Sequence, residues 1–278
     1  MTKKHLTLGH SPDPDDAFMF YALAKDKIDT RGYTFEHILQ DIQTLNERAT
    51  REELDITAVS IHAFAYIADK YALLASGASM GENYGPMVVA RETIPLSELS
   101  RTTIAIPGTM TSAFLELKLA IGEFPFTVVP FDEIISAVAD GRHAAGLIIH
   151  EGQLTYAQAG LTKIIDLGEW WQARYDLPLP LGGNVVRRAL GEETIRDVAA
   201  ILKESIQYGL DHRHEAVEYA LQWARDMGHD LADEFVGMYV NELTVDYGER
   251  GRKAVNLLLE LAAEKRIIPA KPDVVFVG

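Results

Sequence analysis

Short apolar runs alternate with amphipathic segments along the first two thirds of the chain. Residues 33–39 and 54–60 have the composition of strands, and residues 44–53 and 61–68 have the composition of helices. The alternation restarts after a polar stretch at residues 92–100. Repeated β–α units of this kind predict an α/β fold with largely parallel sheets.

The last third has a helical period instead. From residue 192 onward, apolar side chains recur on single stripes, and one of these contains Val198, Leu202 and Ile206. Before that point, residues 178–183 (Pro-Leu-Pro-Leu-Gly-Gly) predict an irregular passage, and residues 184–188 predict a strand that returns to the first unit.

Two lobes with a central cleft account for this order. Residues 1–91 and 184–278 are predicted to form lobe 1, and residues 92–183 lobe 2, with crossings near Ala90 and Gly183. A cleft between lobes is a common place for small-molecule sites.

One histidine stands at the end of the apolar run 143–149. His150 is followed by polar residues that can begin a helix, so it is expected at the carboxyl end of a strand. Crevices form at such ends in open α/β sheets, and imidazole titrates near neutrality, which suits a general base. The alternative is that His150 merely ends the strand and bonds a neighbouring carbonyl.

Composition excludes several classes of function. The 278 residues are 47% hydrophobic and carry a formal net charge of −15, from 26 Lys and Arg against 41 Asp and Glu, which disfavours nucleic acid and anionic lipid as partners. The absence of cysteine excludes disulfides, thiolate metal sites and a Cys nucleophile. The first residues are too polar for a signal peptide, and no run is long enough to span a membrane, so a cytoplasmic location is expected.

A hydroxyl-rich segment joins a predicted strand to a predicted helix. Thr109, Thr111 and Ser112 lie beside free helix N–H groups and could hold a substrate carboxylate. Ordinary N-capping by the same residues explains the segment equally well. It is not a P-loop, because no Gly-Lys-Ser/Thr follows.

The run Ser11-Pro-Asp-Pro-Asp-Asp16 places three carboxylates at a helix start. Such acids are favoured by the helix dipole alone, whereas a functional version has Ser11 and Asp16 facing the cleft and binding hydroxyl groups. A metal cluster with His10 is the weaker alternative, because the spacing matches no ligand loop. Trp170 and Trp171 favour packing over ligand stacking. The motifs for dinucleotide binding, α/β-hydrolase chemistry and zinc proteolysis are missing.

Several stretches together resemble the 1,4-dihydroxy-6-naphthoate synthase family of menaquinone biosynthesis. The specific ones are the Gly-Leu-Ile-Ile-His-Glu run at 146–151, the Trp-Trp pair at 170–171 and the Leu-Pro-Leu-Pro-Leu-Gly run at 177–182. The wider group includes chorismate dehydratase and periplasmic-binding-like proteins.

The resemblance implies a type II periplasmic-binding-protein-like fold used for catalysis. The family cleaves cyclic dehypoxanthine futalosine, the cyclic intermediate of the futalosine pathway, to the naphthoate and a three-carbon fragment. It is a carbon–carbon lyase reaction that needs neither redox cofactor nor metal. His150 falls on the family's proton acceptor, and Ser60, Thr111 and Ser112 fall where the family holds its ligand.

Two departures bear on the substrate. The family commonly has Ser-Pro-Cys-Pro-Asn-Asp-Thr where this chain has Ser-Pro-Asp-Pro-Asp-Asp-Ala, and Ala58 stands where a Lys is frequent. A more acidic cleft predicts weaker binding of an acidic substrate, so a related isomer remains an alternative. A non-catalytic solute-binding protein and a chorismate-dehydratase-like enzyme are the rival functions. Monomer and homodimer both stay open.

Overall fold

The computed structural model describes residues 4–224 and 228–278. The strands in this part of the chain are β1 (Lys4–His10), β2 (Tyr33–Leu39), β3 (Ile56–Ser60), β4 (Tyr71–Leu74), β5 (Ser79–Gly81), β6 (Met87–Ala90), β7 (Ile104–Ile106), β8 (Phe126–Val128), β9 (Ala145–Ile148), β10 (Thr162–Asp166), β11 (Leu179–Arg187) and β12 (Phe276–Val277).

The helices of the same ranges lie between and after these strands. They are α1 (Pro14–Met19), α2 (Tyr21–Ala24), α3 (Ile42–Thr50), α4 (Ile61–Phe64), α5 (Leu96–Leu99), α6 (Ser112–Ile121), α7 (Ile134–Ala139), α8 (Gly152–Thr155), α9 (Leu167–Tyr175), α10 (Glu192–Asp211), α11 (Arg213–Ala220), α12 (His229–Tyr239), α13 (Glu242–Val245) and α14 (Gly248–Glu264). Short 3₁₀ turns occupy Phe131–Glu133, Tyr156–Ala159, Arg188–Leu190 and Leu221–Trp223.

The first sheet has the strand order β12-β4-β11-β3-β1-β2, and β5 also pairs with β11. Strand β1 lies parallel to β2 and β3, and β12 lies parallel to β4. Strand β11 is antiparallel to β3, β4 and β5. The long β11 therefore joins the two parallel parts of this sheet.

The second sheet has the order β10-β6-β9-β7-β8. Strands β7, β8 and β9 are parallel, whereas β6 is antiparallel to β9 and β10. The antiparallel strands are those next to the points where the chain passes between sheets. The expectation of largely parallel sheets is therefore correct for the strands of the β–α units. It is wrong for β6, β10 and β11, the strands next to the points where the chain passes between sheets.

Two sequence-based expectations need correction here. The strand at residues 87–90 was expected in lobe 1 but pairs in the second sheet, so the chain crosses before it. The passage at 178–183 was expected to be irregular, yet β11 begins at Leu179. Pro180 is tolerated because the pairing with β5 changes register between Pro180 and Gly182.

The helices bury the stripes that their period predicts. Val198, Leu202 and Ile206 of α10 are buried in one apolar cluster with Phe18 of α1. A second and larger cluster contains Trp171 of α9 and Leu258 of α14. These two apolar clusters pack against opposite faces of the first sheet. No helix in the described ranges has the length and apolar character needed to cross a membrane.

Candidate active site

One cavity lies where strand ends from both sheets approach each other. Ser11 and Ser60, at the ends of β1 and β3, line it from the first sheet, and Thr111 and His150, after β7 and β9, line it from the second. Its volume of about 110 Å³ is several times what one buried water molecule needs. The cavity is therefore large enough to take part of an organic ligand, at the position that open α/β sheets favour.

His150 projects into this cavity from a strained turn after β9. Its φ of 54° lies in the left-handed region, which His adopts more readily than most residues. Its Nδ1 atom is 3.3 Å from the Oδ2 atom of Asp13, and its side chain is 19% exposed. The ring also meets Phe131 edge-on at a centroid distance of 5.1 Å. An acidic partner thus orients one ring nitrogen and an aromatic ring flanks the imidazole.

The loop between β1 and α1 buries three carboxylates at one wall of the cavity. Asp13, Asp15 and Asp16 are at most 9% exposed. The backbone N–H of Ser11 donates a hydrogen bond of 2.6 Å to Asp16 Oδ2, which closes the loop. Pro14 begins α1, where its missing N–H has no cost.

Burial changes the protonation of this wall. Burial, followed by the charge of Asp13, raises the pKa of Asp15 from 3.8 to about 6, and the neighbouring His150 opposes this shift. Burial, followed by repulsion from Asp15, raises the pKa of Asp16 well above its usual range. Asp15 and Asp16 therefore retain their protons at a pH where exposed aspartates are ionised.

Hydroxyl groups and the amino end of α6 form another part of the lining. Thr111 caps α6 by accepting from the Phe114 N–H at 3.2 Å and donates to the Gly108 carbonyl at 2.9 Å. The Ser112 hydroxyl donates to the Leu181 carbonyl. Ser60 accepts from Asn46 Nδ2 at 3.0 Å, so its own hydroxyl proton remains available to a ligand.

The structure brings together most of the residues that the sequence singled out. Ser11, Asp16, Ser60, Thr111, Ser112 and His150 all line the cavity. Thr109 does not line it, because it is exposed in the turn before the helix cap. Trp171 is fully buried and donates its indole N–H to the Pro178 carbonyl, so it packs as expected.

The sequence analysis did not single out three polar residues that line the cavity, Gln153, Asn184 and Tyr239. Tyr239 of α12 donates its hydroxyl to Gln153 Oε1 at 2.7 Å, and burial raises the pKa of this tyrosine well above its usual range. Asn184 of β11 also lines the cavity. All three are single polar residues in otherwise apolar or helical patterns, which predict burial but not a cavity.

The acids do not combine with His10 as a metal site would require. His10 Nε2 lies 3.0 Å from His37 Nδ1, and burial, with repulsion from His37, lowers the pKa of His10 to about 3. Within residues 4–224 and 228–278, the group whose ligand atoms lie close enough for a metal ion is His214, Glu218 and His229, all within 4.8 Å of one another. None of the three lines the cavity.

Comparison with known proteins decides the family. The family model described as menaquinone biosynthesis matches residues 6–264. The chain belongs to this family. Two curated relatives are named 1,4-dihydroxy-6-naphthoate synthase. The one from Thermus thermophilus is 39% identical over 98% of this chain and 99% of its own, and the one from Streptomyces coelicolor is 36% identical over 97% of each.

Solved structures agree with the fold expected for the menaquinone biosynthesis family. A protein from Archaeoglobus fulgidus superposes with a TM-score of 0.91 at 44% identity, covering 95% of this chain and 98% of its own. The ligand-binding component of an ABC-type import system from Staphylococcus aureus superposes with a TM-score of 0.70 at 14% identity, covering 99% and 96%. The predicted periplasmic-binding-protein-like α/β fold is confirmed.

Proposed function

We propose that this chain is a 1,4-dihydroxy-6-naphthoate synthase, a carbon–carbon lyase acting on cyclic dehypoxanthine futalosine. The observation that carries the proposal is His150, which lines the cavity with its Nδ1 atom 3.3 Å from the buried carboxylate of Asp13. The near full-length similarity to two proteins of that name supports it.

Asp13 prepares His150 for proton abstraction. When Nδ1 donates to the carboxylate, the neutral imidazole carries its lone pair on Nε2, which is the form a general base requires. His150 then removes a hydroxyl or carbon-bound proton from the sugar-derived part of the substrate. Electron flow from that position breaks the carbon–carbon bond, and aromatisation of the bicyclic product drives the step. Asp13 stabilises the imidazolium that results.

The substrate carboxylate is assigned to the hydroxyl side of the cavity. Among the described residues that line it, none is Lys or Arg, and three are aspartates of the β1–α1 loop. Repulsion from that loop directs an anionic group toward Ser60, Ser112 and the amino end of α6. The helix dipole and backbone N–H groups favour a negative charge there.

The two-lobe division is part of the same proposal. The sequence-based bounds are residues 1–91 and 184–278 for lobe 1 and residues 92–183 for lobe 2. Because β6 (Met87–Ala90) pairs in the second sheet, we propose that lobe 2 begins before residue 87. A cytoplasmic location accords with a biosynthetic role, and the partner is a small carboxylate-bearing molecule. No redox cofactor or metal takes part in the proposed chemistry.

Incubation of the purified protein with cyclic dehypoxanthine futalosine tests the function. The naphthoate product, identified by its mass and its naphthalene absorbance, is expected from the wild type, and its formation by His150→Asn is expected to be about 10²- to 10⁴-fold slower. Binding of the compound without any product would instead favour the rival function, a solute-binding protein. The fold likeness to import-system binding components supports that rival. Activity on chorismate alone would favour the dehydratase-like reading.

A further inference from the structure

Asn184 is a buried amide without an internal partner. It is 1% exposed and lines the cavity from β11. Neither its Nδ2 nor its Oδ1 atom has a hydrogen-bond partner within the ranges 4–224 and 228–278. Leaving such groups unpaired lowers the stability of the folded protein, because their hydrogen bonds to water are lost without replacement. The next residues of the strand, Val185 and Val186, are the apolar types expected at a buried strand position.

The neighbours of Asn184 leave space beside its side-chain amide, and within the described ranges they provide no hydrogen-bond partner for it. Asn184 is paired in register with Ala58 and Gly182 with Ser60, so the neighbours across the strand are small or turned to the same cavity. A Cβ atom on Gly77 would lie 2.1 Å from Asn184 Nδ2, so only glycine leaves room for the amide there. Gly77 also has a φ of +83°, which favours glycine. Small residues thus surround a polar group that faces open space.

The chemistry of the cavity restricts what could pair with it. A primary amide offers both a donor and an acceptor. A carboxylate could accept from Nδ2 but would be repelled by Oδ1 and by the aspartate wall, whereas a hydroxyl group can accept from Nδ2 and donate to Oδ1. A neutral hydroxyl group is not subject to that repulsion.

We propose that Asn184 is a specificity-determining residue that binds a hydroxyl group of the ligand through both amide atoms. The proposal rests on the proposed function, in which the sugar-derived part of the substrate carries the hydroxyl groups.

Asn184→Leu tests the proposal, because leucine has nearly the same shape and no polar atoms. Affinity for cyclic dehypoxanthine futalosine is measured by calorimetry in the His150→Asn background, in which turnover is expected to be about 10²- to 10⁴-fold slower. We expect Asn184→Leu to weaken binding about 10- to 100-fold, the range for losing hydrogen bonds to a buried ligand group. The melting temperature of the free protein should stay equal or rise, since an unpaired amide has been removed.

A deoxygenated substrate analogue sharpens the test. If Asn184 binds a hydroxyl, the parent protein should discriminate against the analogue lacking that hydroxyl, and the leucine variant should bind both compounds equally. Tyr247→Phe is the matched control, because its hydroxyl is also buried without a partner in the described ranges but does not line the cavity. It should leave affinity unchanged.

The outcomes separate this proposal from the proposed function. Unchanged affinity in Asn184→Leu, with tight binding by the parent, overturns the role of Asn184 alone. A lowered melting temperature with intact affinity assigns Asn184 to folding and likewise overturns it. Failure of the wild type to bind the compound overturns the proposed function and this inference together.

Discussion

His150 is held in a left-handed backbone conformation that Asn also tolerates, so His150→Asn is a conservative probe of its chemistry. Asparagine can donate a hydrogen bond toward Asp13 but cannot accept a proton near neutral pH. We expect turnover to fall about 10²- to 10⁴-fold, with little change in substrate affinity or melting temperature. Single-turnover rates and melting curves on one preparation measure both quantities.

Asp13→Asn provides the matched comparison for the same pair. An amide at this position can donate to Nδ1 and favour the wrong imidazole tautomer, so turnover should fall by at least about 10-fold and the pH–rate profile should shift. If both variants turn over normally per folded molecule while melting at a lower temperature, the pair is structural and His150 is not the base.

Asp15 gives a pH dependence of stability with a defined sign. Its pKa rises from 3.8 in the reference state to about 6 in the folded protein, so the folded state binds this proton more tightly. The resulting stability is full below 3.8 and is lost as the pH rises through about 6. Asp15→Asn removes the cost of ionisation and should be the more stable protein at pH 8, by on the order of 2–3 kcal/mol.

The measurement is a set of melting curves for both proteins between pH 4 and pH 8. The advantage of Asp15→Asn should shrink steadily toward the acidic end, because the wild-type carboxyl is then protonated as well. An advantage that is the same at every pH would mean that packing rather than ionisation separates the two proteins.

Residue types at strand ends revealed part of this site from the sequence. His150 was predicted because a polar side chain after an apolar run marks a strand end, and Ser11 was predicted because it begins an unusually acidic run at a helix start. Thr109 was included because a hydroxyl does not reveal which of several neighbours caps the helix. Asn184 was missed because one amide in an apolar strand resembles a satisfied core residue until its contacts are known.

At the scale of elements, the sequence predicted where strands and helices lie better than it predicted which strands pair. The strand at 33–39 was predicted with its observed bounds, because its apolar and polar composition is local. Strand β6 was assigned to the wrong sheet because hydropathy carries no information about which edge a strand joins. The start of β11 was missed because Pro180 lies in a register shift, which a local pattern cannot anticipate.

Strand β9 shows how an element sets the position of the proposed base. Gly146 faces α7, and a Cβ atom there would lie 2.5 Å from Ile134 Cγ2 and 2.8 Å from Val138 Cγ2. Gly146→Ala should therefore destabilise the protein by about 1–3 kcal/mol through overpacking, and should also lower turnover by displacing the strand that ends before His150. Chemical denaturation and a turnover assay check the two effects. An unchanged free energy of unfolding would mean that α7 shifts to accommodate the added methyl group without destabilising the protein.

At the scale of the whole molecule, the division into two units was visible because the β–α alternation stops and restarts. The short strand β12 was not predicted, because two residues are too few for any pattern. The C-terminal helices were predicted as helices. That Tyr239 from one of them lines the cavity could not be predicted, because it depends on long-range packing that a helical period does not encode.

Lining residues from both sheets predict that the lobes close on ligand. Groups after β1 and β3 face groups after β7 and β9, so a ligand that contacts both sets brings them together and excludes water. Small-angle scattering with and without the naphthoate product should show a smaller radius of gyration in the complex. An unchanged radius with product demonstrably bound would count against closure.

The place of β11 in the middle of the first sheet has a consequence for synthesis on the ribosome. Strand β11 lies between β3 and β4, yet the whole second sheet lies between β4 and β11 in the chain. Until residue 187 emerges, β3 and β4 each present an unpaired edge of the kind that recruits other chains. The second sheet needs only residues 87–166 and can close earlier. The sheet that begins at the N-terminus is therefore the last to be completed.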